Sequence, residues 1–543
     1  MGINCPSCGG KMVFDITNQC LVCGYCDTRQ TIEEYKANNE AEEQKMTYDT
    51  VVYTCRNCGA ELTAPDEQAV AYCSYCGSEQ MLTAKHEELL RPKRIIPFKK
   101  SKQQAKNEYE KALKGKFYVP KEFKDPKFLE GFRGIYLPYF SYSAVIPDKE
   151  LTFKGSAHYT KGNYDYSEDY DVFASVGGHT QDVDFDASAS FDDTLANSIA
   201  PFEAKDMQDF NDAYLAGFYA DKATTSEKTY MDDATELAAD TVYKEIEKEV
   251  PKVNLDREKS PAAEREKLGI SAIDCDVSFF PVWFLTWRHK NRVAYSVMNG
   301  QTGKITMDIP VNKKMFFLVS LIIAVILFAI LSILPMFLLP KTLASLTGVI
   351  LVISGILLNR LIRNIYEKES HIYDYGDTQH TAKKKRKNAQ NVSSSGAKTS
   401  GGKKSHAGTI VIVIAFFCFV FFRTIGAIVN RVGEMLGGGS RSIAFMFVVC
   451  MLAELIFAII TIKNAARLDR KAGIIPPIIS VLVLLAGVII GGTNPPHDYW
   501  YYGLALACLV AVILNAISCI NYFNYLTTRP VPNFFRREGA DNA

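Results

Sequence analysis

The chain has 543 residues, 48% of them apolar, with 61 Lys+Arg against 60 Asp+Glu and a formal net charge of +1. That balance hides a division: 39 Lys+Arg and 50 Asp+Glu precede Met315, a net of −11, whereas 22 Lys+Arg and 10 Asp+Glu follow from there, a net of +12. Long uncharged apolar runs after residue 314 exclude a purely soluble protein, and an aromatic content of 12% excludes a mainly disordered one. At roughly 100–200 residues per domain, the length suggests three or four units.

Met1 to Gly10 offers cysteines and Pro6 where an export signal needs a basic start and an apolar core, so the N-terminus reads as not translocated by that route. Pro6 also stands where a myristoylation pattern wants Ser or Thr. Two cysteine quartets then repeat with a period of 50: Cys5, Cys8, Cys23 and Cys26, followed by Cys55, Cys58, Cys73 and Cys76. Each reads C-x2-C, a gap of 14, C-x2-C. Two such pairs can close a tetrahedron of thiolates around one Zn²⁺, with Pro6, Gly9 and Gly59 suited to the tight turns. Cys20 has Val70 as its equivalent and reads as a bystander. Disulfides and rubredoxin-like iron are the alternatives; the absent export signal favours metal over disulfides. Two closed four-thiolate sites, over 1–30 and 51–84, would hold structural zinc ions and leave no open position for catalysis. The intervening 31–50 reads as an acidic linker with Glu33, Glu34, Glu40, Glu42 and Glu43, which disfavours a nucleic-acid grip.

A cytoplasmic α+β domain is expected over 91–310. Gln103 to Lys114 reads as a helix ended by Gly115; Gly134 to Ile146 and Leu151 to Thr160 as strands, continued by Tyr166 to Ser175 and Asp182 to Phe191. Helical patterns follow at Ala204 to Lys222 and Thr225 to Val250, then strands at Val277 to Arg288 and Arg292 to Met298 with a turn at Asn299 to Gly303. Leu137-Pro138-Tyr139 and Phe280-Pro281-Val282 occupy comparable places and hint at two related β units. Gly300 to Lys304 lacks the first Gly and the terminal Ser or Thr of a phosphate loop and reads as a hairpin turn. Asp182, Asp184 and Asp186 read as a solvated strand face, and His158, His179 and His289 are scattered, so no catalytic set emerges.

The rest reads as a six-helix transmembrane region: Met315 to Pro340, Thr342 to Asn359, His406 to Asn430, Ser442 to Ile462, Gly473 to Gly491 and Trp500 to Leu526. Eleven Lys or Arg in 360–405, four in Lys463 to Lys471, and Arg529, Arg536 and Arg537 in the 527–543 tail put those segments and both termini on the cytoplasmic side of a membrane. Lys383 to Lys387 reads as topogenic with incidental contact to anionic lipid, and Ser393 to Gly402 as a flexible linker. Glu454 in mid-span needs a partner; Arg423 is the candidate, and an ion or proton path is the functional alternative.

The Cys5 to Gly9 knuckle, Ile96-Pro97-Phe98, Tyr136 to Tyr139, Pro281-Val282-Trp283 and the run from Val297 to Lys304 resemble bacterial integral membrane proteins with N-terminal zinc ribbons like that of transcription factor IIB. Some members carry names borrowed from primosomal helicases, although no helicase motif stands here. The likeness covers about residues 1–310 and implies a non-enzymatic adaptor or scaffold at the bacterial inner membrane, linked to envelope stress, with flotillin-like or phage-shock-type protein partners. A homo-oligomer is compatible with that role. A transporter or channel with a regulatory ribbon domain, and a membrane tether for nucleic acid, stand as alternatives.

Overall fold

The computed structural model describes residues 3–39, 46–64, 73–79, 83–162, 164–180, 183–188, 190–258, 260–270, 273–333, 339–369, 439–467 and 473–536. The expected span at His406 to Asn430, Arg423, Lys383 to Lys387 and Ser393 to Gly402 lie outside these residues.

The first ribbon is a three-stranded antiparallel sheet of β1 (Met12–Asp15), β2 (Cys20–Cys23) and β3 (Arg29–Gln30). Part of the expected acidic linker is helical: α1 (Ile32–Asn38) starts in a capping box in which Thr31 and Glu34 satisfy each other's backbone N–H groups. The second ribbon consists of β4 (Thr47–Thr54), β5 (Glu61–Ala64) and β6 (Thr83–Leu90). The repeat extends to pairing: the bridge Asn4↔Lys11 recurs 50 residues later as Thr54↔Glu61.

The second ribbon does not stand apart. Its β5 pairs with β12 (Tyr219–Asp221), and β12 runs parallel to β8 (Arg133–Lys161), so one 14-stranded sheet holds the ribbon and the central domain. At the sheet's centre β8 lies antiparallel to β14 (Ile273–His289). Pro138 and Pro281 are 143 positions apart, and Leu137 pairs with Phe280, its own equivalent at that offset. The two Pro-bearing strands are therefore related by a local two-fold through this pair. β7 (Arg94–Ile95) runs parallel to β14 just as β12 runs parallel to β8.

Period-two alternation divides the core. Tyr136, Phe279, Trp283, Leu285, Ala294 and Met298 face one side, where Phe14, Leu21 and Ile32 of the first ribbon pack. Ile135, Leu137, Phe280, Val282, Phe284, Val293 and Val297 face the other, with the second quartet. Burial on both faces explains why β14 reads as a nearly unbroken apolar run. β15 (Arg292–Asn299) returns along β14, and the turn to β16 (Ile305–Met307) is the expected hairpin, closed by Asn299 N–H to Lys304 O and by Gly303 at φ 84.

Three expectations change. The two strands at 134–160 form one element with an irregularity between Ile146 and Lys149, and they make a long hairpin with β9 (Tyr164–His179). Among the described residues, Asp182 to Phe191 is strand over β10 (Val183–Asp186); Asp192 then caps α3 (Asp193–Ile199). Ala204 to Lys222 is not a helix: it breaks into 3-10 turns, the edge strand β11 (Gln208–Asp209) and the interior strand β12, which lies between β8 and β5. Asn211 takes the Ala213 N–H, Gly217 adopts φ 88, and Phe210, Ala213 and Tyr214 are drawn into the core, so local side-chain bonding and burial override helical propensity. The expected helix at 103–114 is present as α2 (Lys102–Leu113), capped by Ser101 and Gln104.

The C-terminal region is helical: Lys313–Ile333 (α4), Pro340–Glu369 (α5), Gly439–Arg467 (α6), Ile475–Thr493 (α7) and Tyr499–Leu526 (α8). Among the described residues, four helices are long and apolar enough to cross a membrane: Pro340–Tyr366, Ile443–Ala466, Ile475–Thr493 and Tyr499–Leu526. These pack as a bundle around Leu351, Phe447, Leu484, Leu504 and Cys508. Much of α4 is exposed, including Leu318, Leu321, Ile322 and Phe328.

The tail after α8 returns to the sheet. β17 (Arg529–Pro530) pairs with β15, and the Arg529 guanidinium bonds Asp192 and Asp308 (3.3 Å to the latter) with its side chain 12% exposed. Arg529 is thus a structural cation as well as a basic residue of the tail. Its replacement by Ala strands two carboxylates in the joint. The full chain in detergent should lose about 3 kcal/mol of domain stability, read as a lower thermal midpoint, and Lys at this position should restore only part because an ammonium lacks the guanidinium's fork.

Candidate metal centres

The sulfurs of Cys5, Cys8, Cys23 and Cys26 lie within 4.8 Å of one another, as do those of Cys55, Cys58, Cys73 and Cys76, and among the described residues these are the two groups placed to hold a metal ion. Cys5–Cys26 and Cys8–Cys23 are each 3.5 Å apart; Cys55–Cys76 and Cys58–Cys73 are 3.6 and 3.7 Å. A disulfide would bring sulfurs to about 2.05 Å, whereas the edge of a tetrahedron with about 2.3 Å metal–sulfur bonds is roughly 3.8 Å. Cys20 belongs to neither group and is buried at the start of β2.

Four knuckles build these cages by one backbone device. Gly9, Asp27, Gly59 and Gly77 each follow a second ligand and adopt φ of 72, 54, 76 and 64, turning the chain so that their N–H groups donate to the carbonyls of Cys5, Cys23, Cys55 and Cys73. The same cysteines donate their N–H groups to Gly10, Thr28, Ala60 and Ser78. Spacing points to Gly9 and Gly59; Asp27 fills the same role without glycine, because Asp tolerates the left-handed region better than most residues.

Proton sharing shows how well the donor set suits a cation. Hydrogen bonds from Cys58, then Cys73 and Cys76, hold the Cys55 thiol far below its usual range, while the same crowding drives Cys58 far up. A divalent ion at the centre lets four thiolates ionise together.

The environments differ. In the first cage Cys5 and Cys23 are buried and Cys8 and Cys26 exposed; in the second all four are buried. The second is closed from several sides. Tyr75, between its last two ligands, sets its ring against Phe284 and Phe534 at 5.6 and 6.0 Å. Its hydroxyl donates to the buried Asp221, whose carboxyl is pushed up to about 6 by burial, against the pull of hydrogen bonds from Ser188, Tyr75 and Lys222. Its carbonyl accepts from Tyr295 at 2.6 Å, and Arg288 reaches the Cys76 carbonyl at 3.2 Å. From the tail, Phe534 N–H donates to the Cys58 carbonyl at 2.6 Å, and Phe535 lies so close to Gly59 that a Cβ there would meet its nitrogen at 2.9 Å. Sequence reasoning missed this lid; Phe534-Phe535, the two aromatic residues of the 527–543 tail, are its trace.

Elsewhere the candidate residues do not converge. Asp184 accepts from Ser141 and Asp186 from the Ser188 N–H, while Asp182 lies outside the described residues. Glu454 is buried against Gly355, where a Cβ would come within 2.4 Å of both carboxylate oxygens, and its Oε2 has no hydrogen-bond partner among the described residues, which do not include Arg423. The sequence reading overlooked Asn515, buried in the bundle, which donates to Ser354 and Ser480 at 2.8 and 3.2 Å.

No family model matches the chain, and no solved structure does. Over 315 residues it is 25% identical to the uncharacterized protein YdjG of Bacillus subtilis (strain 168), a match spanning 57% of this chain and 90% of that protein.

The unequal burial predicts unequal lability. The purified chain should carry two ions, and a chelator at neutral pH should remove the first cage's ion well before the second's, followed by elemental analysis. Cys8→Ser should lose one ion and leave the domain resistant to protease; Cys55→Ser should unfold it, since a structural four-thiolate ion contributes on the order of 10 kcal/mol.

Proposed function

We propose that this is a non-enzymatic, membrane-anchored adaptor whose two ribbons hold structural zinc and whose cytoplasmic face recruits protein partners. The observation that carries the reading is the contrast between two closed cages of the same design, one sealed in the core and one presented at the surface. Four thiolates leave a zinc ion no open position for catalysis, so an exposed cage of this kind serves as a rigid recognition surface. Reducing conditions, expected on the cytoplasmic side, suit the thiolates.

Membrane anchoring rests on the four apolar helices. The start of α4 and the end of α8 meet the same soluble domain: Asn524 bonds both the N–H and the carbonyl of Val311, just before α4, and β17 joins the sheet just after α8. That shared contact supports an even number of crossings between them and, with it, the reading of six spans and both termini in the cytoplasm of a bacterial inner membrane. A cavity of about 740 Å³ at this joint is walled by Lys290, Arg292 and Lys313 together with Trp287, Val311 and Tyr525, a composition that suits lipid contact. The link to envelope stress and to flotillin-like or phage-shock-type partners rests on the family resemblance alone, and the net charge of −11 before Met315 disfavours nucleic acid.

Affinity purification in mild detergent tests the adaptor. A stoichiometric protein partner should co-purify with the parent and be lost on Cys8→Ser while the second ion is retained; co-purification that ignores the first cage removes the ribbon from the mechanism.

The buried Glu454 carboxyl and the Oδ1 of Asn515, which has no partner among the described residues, favour a second reading, in which the bundle passes an ion or proton. Liposomes carrying the chain would then show solute or proton flux abolished by Glu454→Gln and unaffected by Cys8→Ser. No flux above that of empty vesicles ends this reading.

A further inference from the structure

The 50-residue repeat allows one ribbon to be read against the other. In the second, the Cys58-Gly59 knuckle and Tyr75 receive a segment of the chain's own tail: Phe534 donates its N–H to the Cys58 carbonyl, its ring meets the Tyr75 ring, and the Phe535 backbone crosses Gly59. The equivalents in the first ribbon are Cys8, Gly9 and Tyr25. Here the same features stand open. Tyr25 is 82% exposed where Tyr75 is 1% exposed, and a Cβ on Gly9 would meet nothing within 4 Å where one on Gly59 meets Phe535. The Tyr25 ring lies against Gly10, covering the position that Ala60 holds in the second ribbon. Ribbon geometry, knuckle hydrogen bonds and the tyrosine are thus duplicated, while the occupant is not.

We propose that the first ribbon is a docking site for a short segment of a partner protein that carries two consecutive aromatic residues followed by a basic one, the chemistry of Asn533-Phe534-Phe535-Arg536. Asp27, two residues from Tyr25, is exposed and offers a counter-charge to a basic flank, with Glu33 and Glu34 exposed along α1 and Lys11 and Arg29 exposed on the same ribbon. The chain's own Phe534 is already engaged on the second ribbon, held there at the high effective concentration of a short tether, so the occupant comes from another protein. This inference rests on the adaptor reading and names the kind of segment it recruits.

The probe is a synthetic peptide Val-Pro-Asn-Phe-Phe-Arg-Arg, which copies residues 531–537, titrated onto the full chain in detergent with its metal bound and followed by fluorescence anisotropy. Saturable binding is expected in the range of about 10–100 µM, as suits a contact of this size. Replacing both Phe by Ala in the peptide, or Tyr25→Ala in the protein, should weaken it at least about tenfold. The Tyr25→Ala chain should keep two ions and its thermal midpoint, which separates lost docking from lost folding. No saturation up to about 1 mM, or equal binding by Tyr25→Ala or by the Ala-Ala peptide, overturns the proposal. So does a dimer in sedimentation that Tyr25→Ala converts to monomer, because the occupant is then a second copy's tail. If a stable partner co-purifies through the first cage yet ignores Tyr25, the docking site fails and the adaptor reading stands; if none co-purifies, the adaptor reading itself fails.

Discussion

The second thiolate cage is the constraint to which the rest of the soluble structure is fitted. Its last knuckle passes through Ser74 and Tyr75, and three strands claim polar groups there: the Ser74 carbonyl is held by Thr286 and the Cys76 carbonyl by Arg288, both on β14, the Tyr75 carbonyl by Tyr295 on β15, and the Tyr75 hydroxyl by Asp221 on β12. The first knuckle gives its Cys58 carbonyl to the tail. A cage that fixes four backbone points within a few ångströms therefore sets the mutual position of the sheet's centre, its ribbon edge and the segment leaving the last helix. Buried polar groups so arranged are costly unless every partner is in place, which makes the assembly all-or-none.

The tail turns that cage into a link to the bundle. Only residues 527 and 528 separate α8 from β17, and Arg529 then spans Asp192 and Asp308 while its guanidinium lies over the Tyr295 ring at 5.7 Å. Arg292 reaches from β15 to the end of α8, donating to the Tyr525 and Thr528 carbonyls at 2.7 Å. Cations at a helix C-terminus meet the partial negative charge of its free carbonyls, so this joint is favourable in both directions. The acidic and basic halves, whose charges nearly cancel over the whole chain, meet here through paired groups.

What the sequence disclosed and what it withheld divide along the range of the interactions. The eight ligands, the Ser101-capped helix and the hairpin at Asn299 are local: each is specified within a few residues by spacing, capping or turn chemistry. The apolar runs of four of the helices are equally local. Pairing of the second ribbon with β12, about 160 positions away, is not encoded in any short pattern. Nor is the return of the tail to β15, more than 230 positions distant. Ala204 to Lys222 misled because its alternation of apolar and charged residues suits a helix as well as it suits two short strands joined by capped turns, and only the neighbouring strands decide.

The two ribbons show how a duplication can part in role while its ligands stay the same. Both cages obey one spacing and one set of knuckle hydrogen bonds, yet alternation along β8, β14 and β15 gives each ribbon a different face of the central sheet. On one face the sheet offers Tyr295, Phe284 and the tail, and the cage disappears into the core. On the other, Phe14 and Leu21 of the first ribbon are buried together with Cys5 and Cys23, while the outer half of each knuckle, with Cys8 and Cys26, remains exposed. Stability is then vested in the buried cage, and the exposed one is free to present Cys8, Tyr25 and Cys26 to solvent without endangering the fold. An internal repeat whose copies are fixed to opposite faces of one sheet thus separates the demands of holding the domain together from whatever the exposed copy does, which in the adaptor proposal is meeting a partner.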